Sequence, residues 1–181
     1  MSIEIVFETH ALSEDNERGL ATGWLPGRLG VQGRKNAAEM GRRRRHDGIV
    51  AVFCSDLRRS VETAEIAFGG TSIPILYDWR LRECDFGSRN GTPSVEVSRD
   101  LMDHVDRPYP DGESHRQAVG RVARSLAELP MRWGRRRVMV IGHIATQRGL
   151  EHVVNRATVE DLVARGFQWR EHGWEYQLGQ D

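Results

Sequence analysis

Three polar clusters in this chain directly follow short apolar runs, and each carries residues able to do chemistry. THALSEDN (9–16) follows IEIVF (3–7), CSDLRRSVETA (54–64) follows IVAVF (49–53), and GHIAT (142–146) closes RVMVIG (137–142). They hold His10, the pair Arg58 and Arg59, and His143. An imidazole changes charge near neutral pH and can act as a nucleophile. An arginine in the first turn of a helix adds a bidentate clamp to the anion-favouring N–H groups there. Ser55 or Asp56 is the expected N-cap of that helix. A fourth candidate, Glu83 in LRECDFG, could donate or accept a proton if partly buried. Taken singly, each has a plainer reading: a capping or surface histidine, a solvated arginine, an ion-pair partner for Arg80 or Arg82.

The elements that would position these residues are legible from hydrophobic pattern. IEIVF, IVAVF, IPIL (73–76) and RVMVIG read as buried strands. Helical patterns lie between them, over about 30–45, 57–68, 114–129 and 144–154. Strand and helix alternation predicts βαβ units and a mainly parallel sheet covered on both faces. In such a sheet the three clusters emerge on one side, where ligands collect beyond the carboxyl ends of the strands. The C-terminal GFQWREHGWEYQL reads as an edge strand or hairpin. Two long loops, about 11–29 and 77–110, are of the length that usually carries function. Trp24 is expected to pack its loop, and Trp133, Trp169 and Trp174 to be core or edge residues.

Composition narrows the classes. The chain has 181 residues, 39% of them hydrophobic, with 26 basic against 26 acidic side chains. One domain over 1–181 is the simplest organisation. The runs Arg42 to Arg45 and Arg135 to Arg137 resemble nucleic-acid patches, yet four successive arginines on a helix point in nearly every direction and zero net charge gives no general attraction to phosphate polymers. Solvated helix ends are therefore expected, with no nucleic-acid partner. Cys54 and Cys84 have no metal or redox spacing. No run has the length of a membrane helix, and the N-terminus lacks the features of a signal peptide. A cytoplasmic location without membrane association follows as the expectation.

Together the clusters resemble the histidine phosphatase superfamily in its phosphoglycerate mutase-like branch, in order and spacing from Ile3 to about Val154. SDLRRSVETA is similar to the family's Ser-x-Leu-x-Arg-x-x-x-Thr-Ala helix, RLRECDFG to its Leu-Arg-Glu-x-x-x-Gly loop, PDGES to its Gly-Glu-Ser turn, and VIGHIA to its second histidine strand. The family's Arg-His-Gly has its counterpart in Thr9-His10-Ala11, followed by Ser13 and Asn16. The resemblance implies a three-layer α/β/α sandwich with a mainly parallel central sheet. Residues 155–181 would be an extension or edge element. It also implies roles: His10 as nucleophile, His143 as the second phosphate-pocket histidine, Glu83 as the proton donor and later base, Arg59, Asn16 and Ser13 as phosphate binders, with Thr9 at the remaining phosphate-binding position. No metal or organic cofactor would be required.

The departure is at Thr9, which stands where the family has arginine, with Glu8 before it. Threonine offers one neutral hydroxyl in place of several fixed, charged donors. Three readings stay open: another arginine (Arg18, Arg28, Arg82 or Arg148) fills the volume; Glu8 repels a phosphate dianion and the pocket serves another ligand; or the substrate carries its own positive charge. Glu8 is thus either a modulator of the site or a strand-end residue facing solvent or an arginine. The leading expectation is a phosphatase acting on a small phosphorylated metabolite through a phosphohistidine. The alternative is an impaired or repurposed family member that binds a ligand without efficient phosphoryl transfer. Mutase chemistry ranks lower, since there is no clear insertion to retain a bisphosphate intermediate. The segment 90–114 is expected to cover the pocket and choose the substrate. The C-terminal aromatics leave a homodimer open.

Overall fold

The computed structural model describes residues 2–179. In chain order its elements are β1 (Ile3–Thr9), α1 (Glu14–Glu17), β2 (Leu20–Ala21), α2 (Val31–Arg44), β3 (Ile49–Cys54), α3 (Arg58–Phe68) and β4 (Ile75–Tyr77). There follow β5 (Thr92–Pro93), α4 (Ser94–Ser98), α5 (His115–Trp133), β6 (Arg137–Gly142), α6 (Ile144–Asn155), α7 (Val159–Arg165) and β7 (Trp174–Leu178), with short 3-10 turns in the 79–104 region.

The main sheet has the order β4-β3-β6-β1-β7. Its first four strands are parallel, and β7 closes the edge antiparallel to β1. This is the α/β arrangement expected from the alternation of strands and helices. Side-chain parity sorts the two faces. Val138 and Val140 join Ile3, Ile5 and Phe7 in a core with Val122, Leu126 and Leu129 of α5 and Leu150 of α6. Met139 and Ile141 face the other way, onto Met40 of α2 and Ala64, Ala67 and Phe68 of α3. The same parity puts Glu8 on the α2 face and Thr9 on the opposite one.

Several local expectations need correction. The N-cap of α3 is Leu57, without a side-chain cap, because Ser55 and Asp56 bond elsewhere: Ser55 Oγ to His143 and Asp56 to Arg82. Helix α5 runs past Pro130 to Trp133, whose ring packs edge-on to Phe53 at 5.8 Å. A proline this near a helix end removes only one hydrogen bond, and the aromatic contact holds the last turn. The two long loops are joined by the β2–β5 pairing of Leu20 with Pro93 and Ala21 with Thr92. The C-terminal segment is not a hairpin: α7 precedes a single edge strand in which Trp174, Tyr176 and Leu178 are buried while Glu175 and Gln177 are exposed. No helix among the described residues is long and apolar enough to cross a membrane.

Candidate active site

Adjacent strand ends bring the histidines together. β6 lies between β3 and β1, so Ser55, His143 and His10 follow from neighbouring strands. The two imidazole centroids are 5.0 Å apart. His10 Nδ1 bonds the Ala11 carbonyl oxygen at 2.7 Å. A carbonyl only accepts, so Nδ1 carries the proton and Nε2 keeps its lone pair. Arg59 Nε donates to that Nε2 at 3.3 Å, and Arg59 Nη2 approaches His143 Nδ1 at 3.4 Å. Burial and the Arg59 charge drive the His10 pKa down to about 3, with the Ala11 bond opposing them. His143 is likewise pushed well below the ordinary histidine value, by burial and then by Arg59. Both rings are neutral at physiological pH.

Arg59 is buried beneath the imidazoles, in the first turn of α3. Its Nη1 and Nη2 donate to the carbonyls of Leu25 and Gly23 at 3.0 and 2.8 Å, which anchors the guanidinium to the 22–27 loop. Burial lowers its pKa to about 10, leaving it charged. His143 is held from behind by Ser55, whose Oγ is 2.6 Å from Nε2. Ser55 thus belongs to the candidate site, where the sequence pattern predicts only a helix cap.

Glu83 sits across the opening. Its Oε1 accepts from the Cys84 and Ala145 amides at 2.9 and 3.0 Å, and its Oε2 from the Ile144 amide at 3.2 Å. The last two belong to the start of α6, where N–H groups favour a carboxylate. Glu83 is no partner of Arg80 or Arg82, which pair with Asp78, Glu128 and Asp56. Two residues clamp its backbone: Trp24 Nε1 and Arg121 Nη2 both donate to the Glu83 carbonyl, at 2.7 and 3.1 Å. Trp24 therefore packs its loop, as expected, and fixes Glu83 in doing so.

Asn16 lines the cavity, but Ser13 is fully buried as the N-cap of α1. The Ser13 hydroxyl donates to Asn16 Oδ1 at 2.8 Å and accepts from the Asn16 amide at 3.1 Å. Ser13 thus orients Asn16 and is not on the cavity wall. Oδ1 accepts from Ser13, and Nδ2 is the group of Asn16 that can donate to a ligand.

Glu8 is only 5% exposed. Its Oε1 accepts from Arg44 Nε at 2.7 Å and its Oε2 from Arg43 Nη2 at 2.8 Å. The arginine run is thus not a set of solvated helix ends. Arg42 is exposed and pairs with Glu39, Arg43 and Arg44 take Glu8, and Arg45 Nε donates to the Ala67 carbonyl at 2.6 Å. Four consecutive helical residues do point four ways, and α2 lies where three of those directions meet protein. Arg44 also donates to the His172 carbonyl at 2.7 Å, and Arg43 to that of Glu171 at 3.4 Å. These bonds hold the 166–173 segment against β1. Gly173 makes the approach feasible: its φ is +64°, and a Cβ there would lie 2.0 Å from the Phe7 carbonyl oxygen. Glu8→Ala leaves Arg44 buried with one carboxylate partner, Asp47, and is expected to cost about 3 kcal/mol in chemical denaturation. A loss below about 0.5 kcal/mol would show that the pair contributes nothing net.

The cavity has a volume of about 540 Å³. Thr9, His10, Glu83, His143 and Arg43 line it, with Phe167, Trp169, Arg170 and Glu171 forming a further wall. Two expectations fail here. No residue of 90–114 lines the cavity; that segment packs on itself and on α5, with His104 stacked on Tyr109 at 3.8 Å and Glu113 bonded to Arg121 at 2.6 Å. Trp169, expected in the core or at an edge, is 65% exposed and borders the cavity. None of the arginines expected to replace the one absent at position 9 lines the cavity: Arg28 pairs with Glu14, Arg82 with Asp56, Arg148 is buried against His115, and Arg18 is exposed beyond α1.

Comparison with known proteins agrees with this architecture. A 2,3-bisphosphoglycerate-dependent phosphoglycerate mutase of Neisseria meningitidis is 25% identical over 201 aligned positions, covering 89% of this chain and 88% of that protein. Among solved structures, mycobacterial glucosyl-3-phosphoglycerate phosphatase superposes with a TM-score of 0.80 at 21% identity, covering 98% of this chain and 90% of that one. A putative alpha-ribazole-5'-P phosphatase of Escherichia coli gives 0.75 at 20% identity, with 90% and 83% covered. At such identities the structural likeness speaks for the fold. The sequence itself matches the family profile over residues 5–167, and the chain belongs to the histidine phosphatase superfamily, branch 1.

Proposed function

We propose that the protein hydrolyses the phosphoester of a small phosphorylated metabolite through a phosphohistidine on His10. The observation that carries this reading is the His10 ring itself: Nδ1–H is tied to a backbone carbonyl, and the unprotonated Nε2 meets the Arg59 guanidinium beside the cavity. A nucleophile, its orienting acceptor and a fixed cation are thereby assembled without any group having to ionise. Family members include both phosphatases and mutases, and phosphatases are among the structural neighbours.

In the first half-reaction His10 Nε2 bonds to phosphorus as the ester P–O bond breaks. Glu83, entering the step as the acid, gives its proton to the departing oxygen and is left as the carboxylate that the Cys84, Ile144 and Ala145 amides hold. In the second, Glu83 takes a proton from water, whose oxygen displaces His10 and releases inorganic phosphate. The two Arg59 donors that meet His10 Nε2 and His143 Nδ1 lie where a phosphoryl group would enter between the rings. His143 can adapt without moving. When Nδ1 accepts from Arg59, Nε2–H donates to Ser55; when Ser55 donates to Nε2, Nδ1–H is free for a phosphate oxygen. The Glu8 charge does not favour the alternative of a repurposed pocket, because two guanidinium groups neutralise it.

The test is a panel of phosphorylated metabolites, with a radiolabelled substrate quenched in alkali to trap the intermediate. An alkali-stable, acid-labile label on His10 is expected. Absence of phosphate release across the panel would sink the reading.

A further inference from the structure

We infer that Arg43 of α2 supplies the phosphate-binding charge that Thr9 does not, entering the pocket from the Glu8 side of β1. The inference rests on the phosphatase reading above and assigns one component of that site.

Three observations carry it. Glu8 and His10 are two residues apart, about 7 Å along an extended chain and on the same side of it. The guanidinium that binds Glu8 Oε2 is therefore brought to the neighbourhood of the nucleophile, and Arg43 lines the same cavity as Thr9, His10 and Glu83. Second, Arg43 is not locked where it stands. Its Nε is buried and makes no hydrogen bond among the described residues, and its longer bond, to the Glu171 carbonyl, is 3.4 Å. An unsatisfied buried donor favours any rearrangement that gives it an acceptor. Third, Glu8 does not depend on Arg43 alone. Arg44 holds the other carboxylate oxygen at 2.7 Å and is itself fixed by Asp47 at 2.8 Å and the His172 carbonyl at 2.7 Å. Arg43 can turn its terminal torsions toward a phosphate while Glu8 stays neutralised.

Arg170 is the other cavity-lining arginine. It is exposed and lies over the Trp174 ring at 5.3 Å. A preorganised site favours the three-quarters-buried residue on a helix over the exposed one on a loop.

The experiment compares wild type with Arg43→Ala, Arg43→Lys, Arg170→Ala and the double variant Thr9→Arg/Arg43→Ala. It measures inorganic phosphate affinity by calorimetry and kcat/KM on the best panel substrate, with melting temperature as the control for folding. Arg43→Ala is expected to weaken phosphate at least tenfold and to lower kcat/KM about a hundredfold, the scale of one lost preorganised donor. Arg43→Lys keeps the charge without the fork and falls between. The double variant recovers most of the loss, which a purely structural role for Arg43 would not produce. Wild-type phosphate affinity in Arg43→Ala, or a loss in Arg170→Ala alone, would overturn the inference while leaving His10-dependent hydrolysis intact. If wild type neither hydrolyses any substrate nor binds phosphate, the phosphatase reading falls and the inference with it.

Discussion

His10→Ala is expected to reduce phosphate release by at least about ten-thousandfold, the scale on which loss of an activated nucleophile disables a catalytic unit. The ring is fixed by the Ala11 carbonyl, and Nε2 faces Arg59 and the cavity. His143 lacks that arrangement: it is 1% exposed and engaged on both nitrogens, by Ser55 and by Arg59, whereas His10 Nε2 meets Arg59 alone. Because the His10 pKa lies near 3, lowered by burial and by Arg59, the ring stays neutral as pH falls from 8 to 5. Protonation of the nucleophile therefore does not limit the rate in that range. Carbon-13 NMR of labelled imidazole should show His10 without a titration step between pH 5 and 8. A step near the ordinary histidine value of about 6.5 would contradict the electrostatic account, and substantial hydrolysis by His10→Ala would contradict the mechanism.

Glu83→Gln is expected to lower kcat on alkyl phosphates by about 10²- to 10⁴-fold, the usual range for a general acid or base. Glutamine keeps the volume and can accept from the Cys84 and Ala145 amides, but it has no proton to give. Its NH₂ group would then face the Ile144 amide, so the melting temperature is measured alongside. The leaving group decides which half-reaction shows the defect. With p-nitrophenyl phosphate the phenolate departs without protonation. The variant should therefore release about one equivalent of nitrophenol in a burst and then stall as phosphoenzyme, since water still lacks its base. Equal slowing of burst and turnover would place Glu83 outside proton transfer, and wild-type rates on both substrates would remove it from the chemistry.

Under the proposed function, substrate choice falls to the 166–173 segment. Its Phe167, Trp169, Arg170 and Glu171 face the same cavity as His10, while the 90–114 segment packs against α5 and its own aromatics. The family resemblance points instead to the longer, more polar 90–114 loop. The decision lay with Gly173 and with two arginines 128 residues earlier that bond the carbonyls of Glu171 and His172.

What the sequence determined by itself was whatever depends on local pattern and on the geometry of parallel sheets. The apolar runs give β1, β3 and β6 nearly to the residue, and the periodic stretches give α2, α3, α5 and α6. Parallel strands deliver their following loops to one edge, so the approach of His10, the Arg58/Arg59 pair and His143 could be anticipated from order alone, while Glu83 and the choice of Arg59 rest on the family resemblance. What only the tertiary structure decided was which polar side chains meet once those elements are packed. Arg43 and Arg44 find Glu8 across 35 and 36 residues because strand parity turns Glu8 toward the helix on which they lie. Ser55 leaves its expected cap because His143 Nε2, just beyond the end of the neighbouring strand β6, stands 2.6 Å from its Oγ. Such pairings follow from helix rotation, strand register and burial, which are set by the whole core at once and leave no mark in the spacing of the residues that form them.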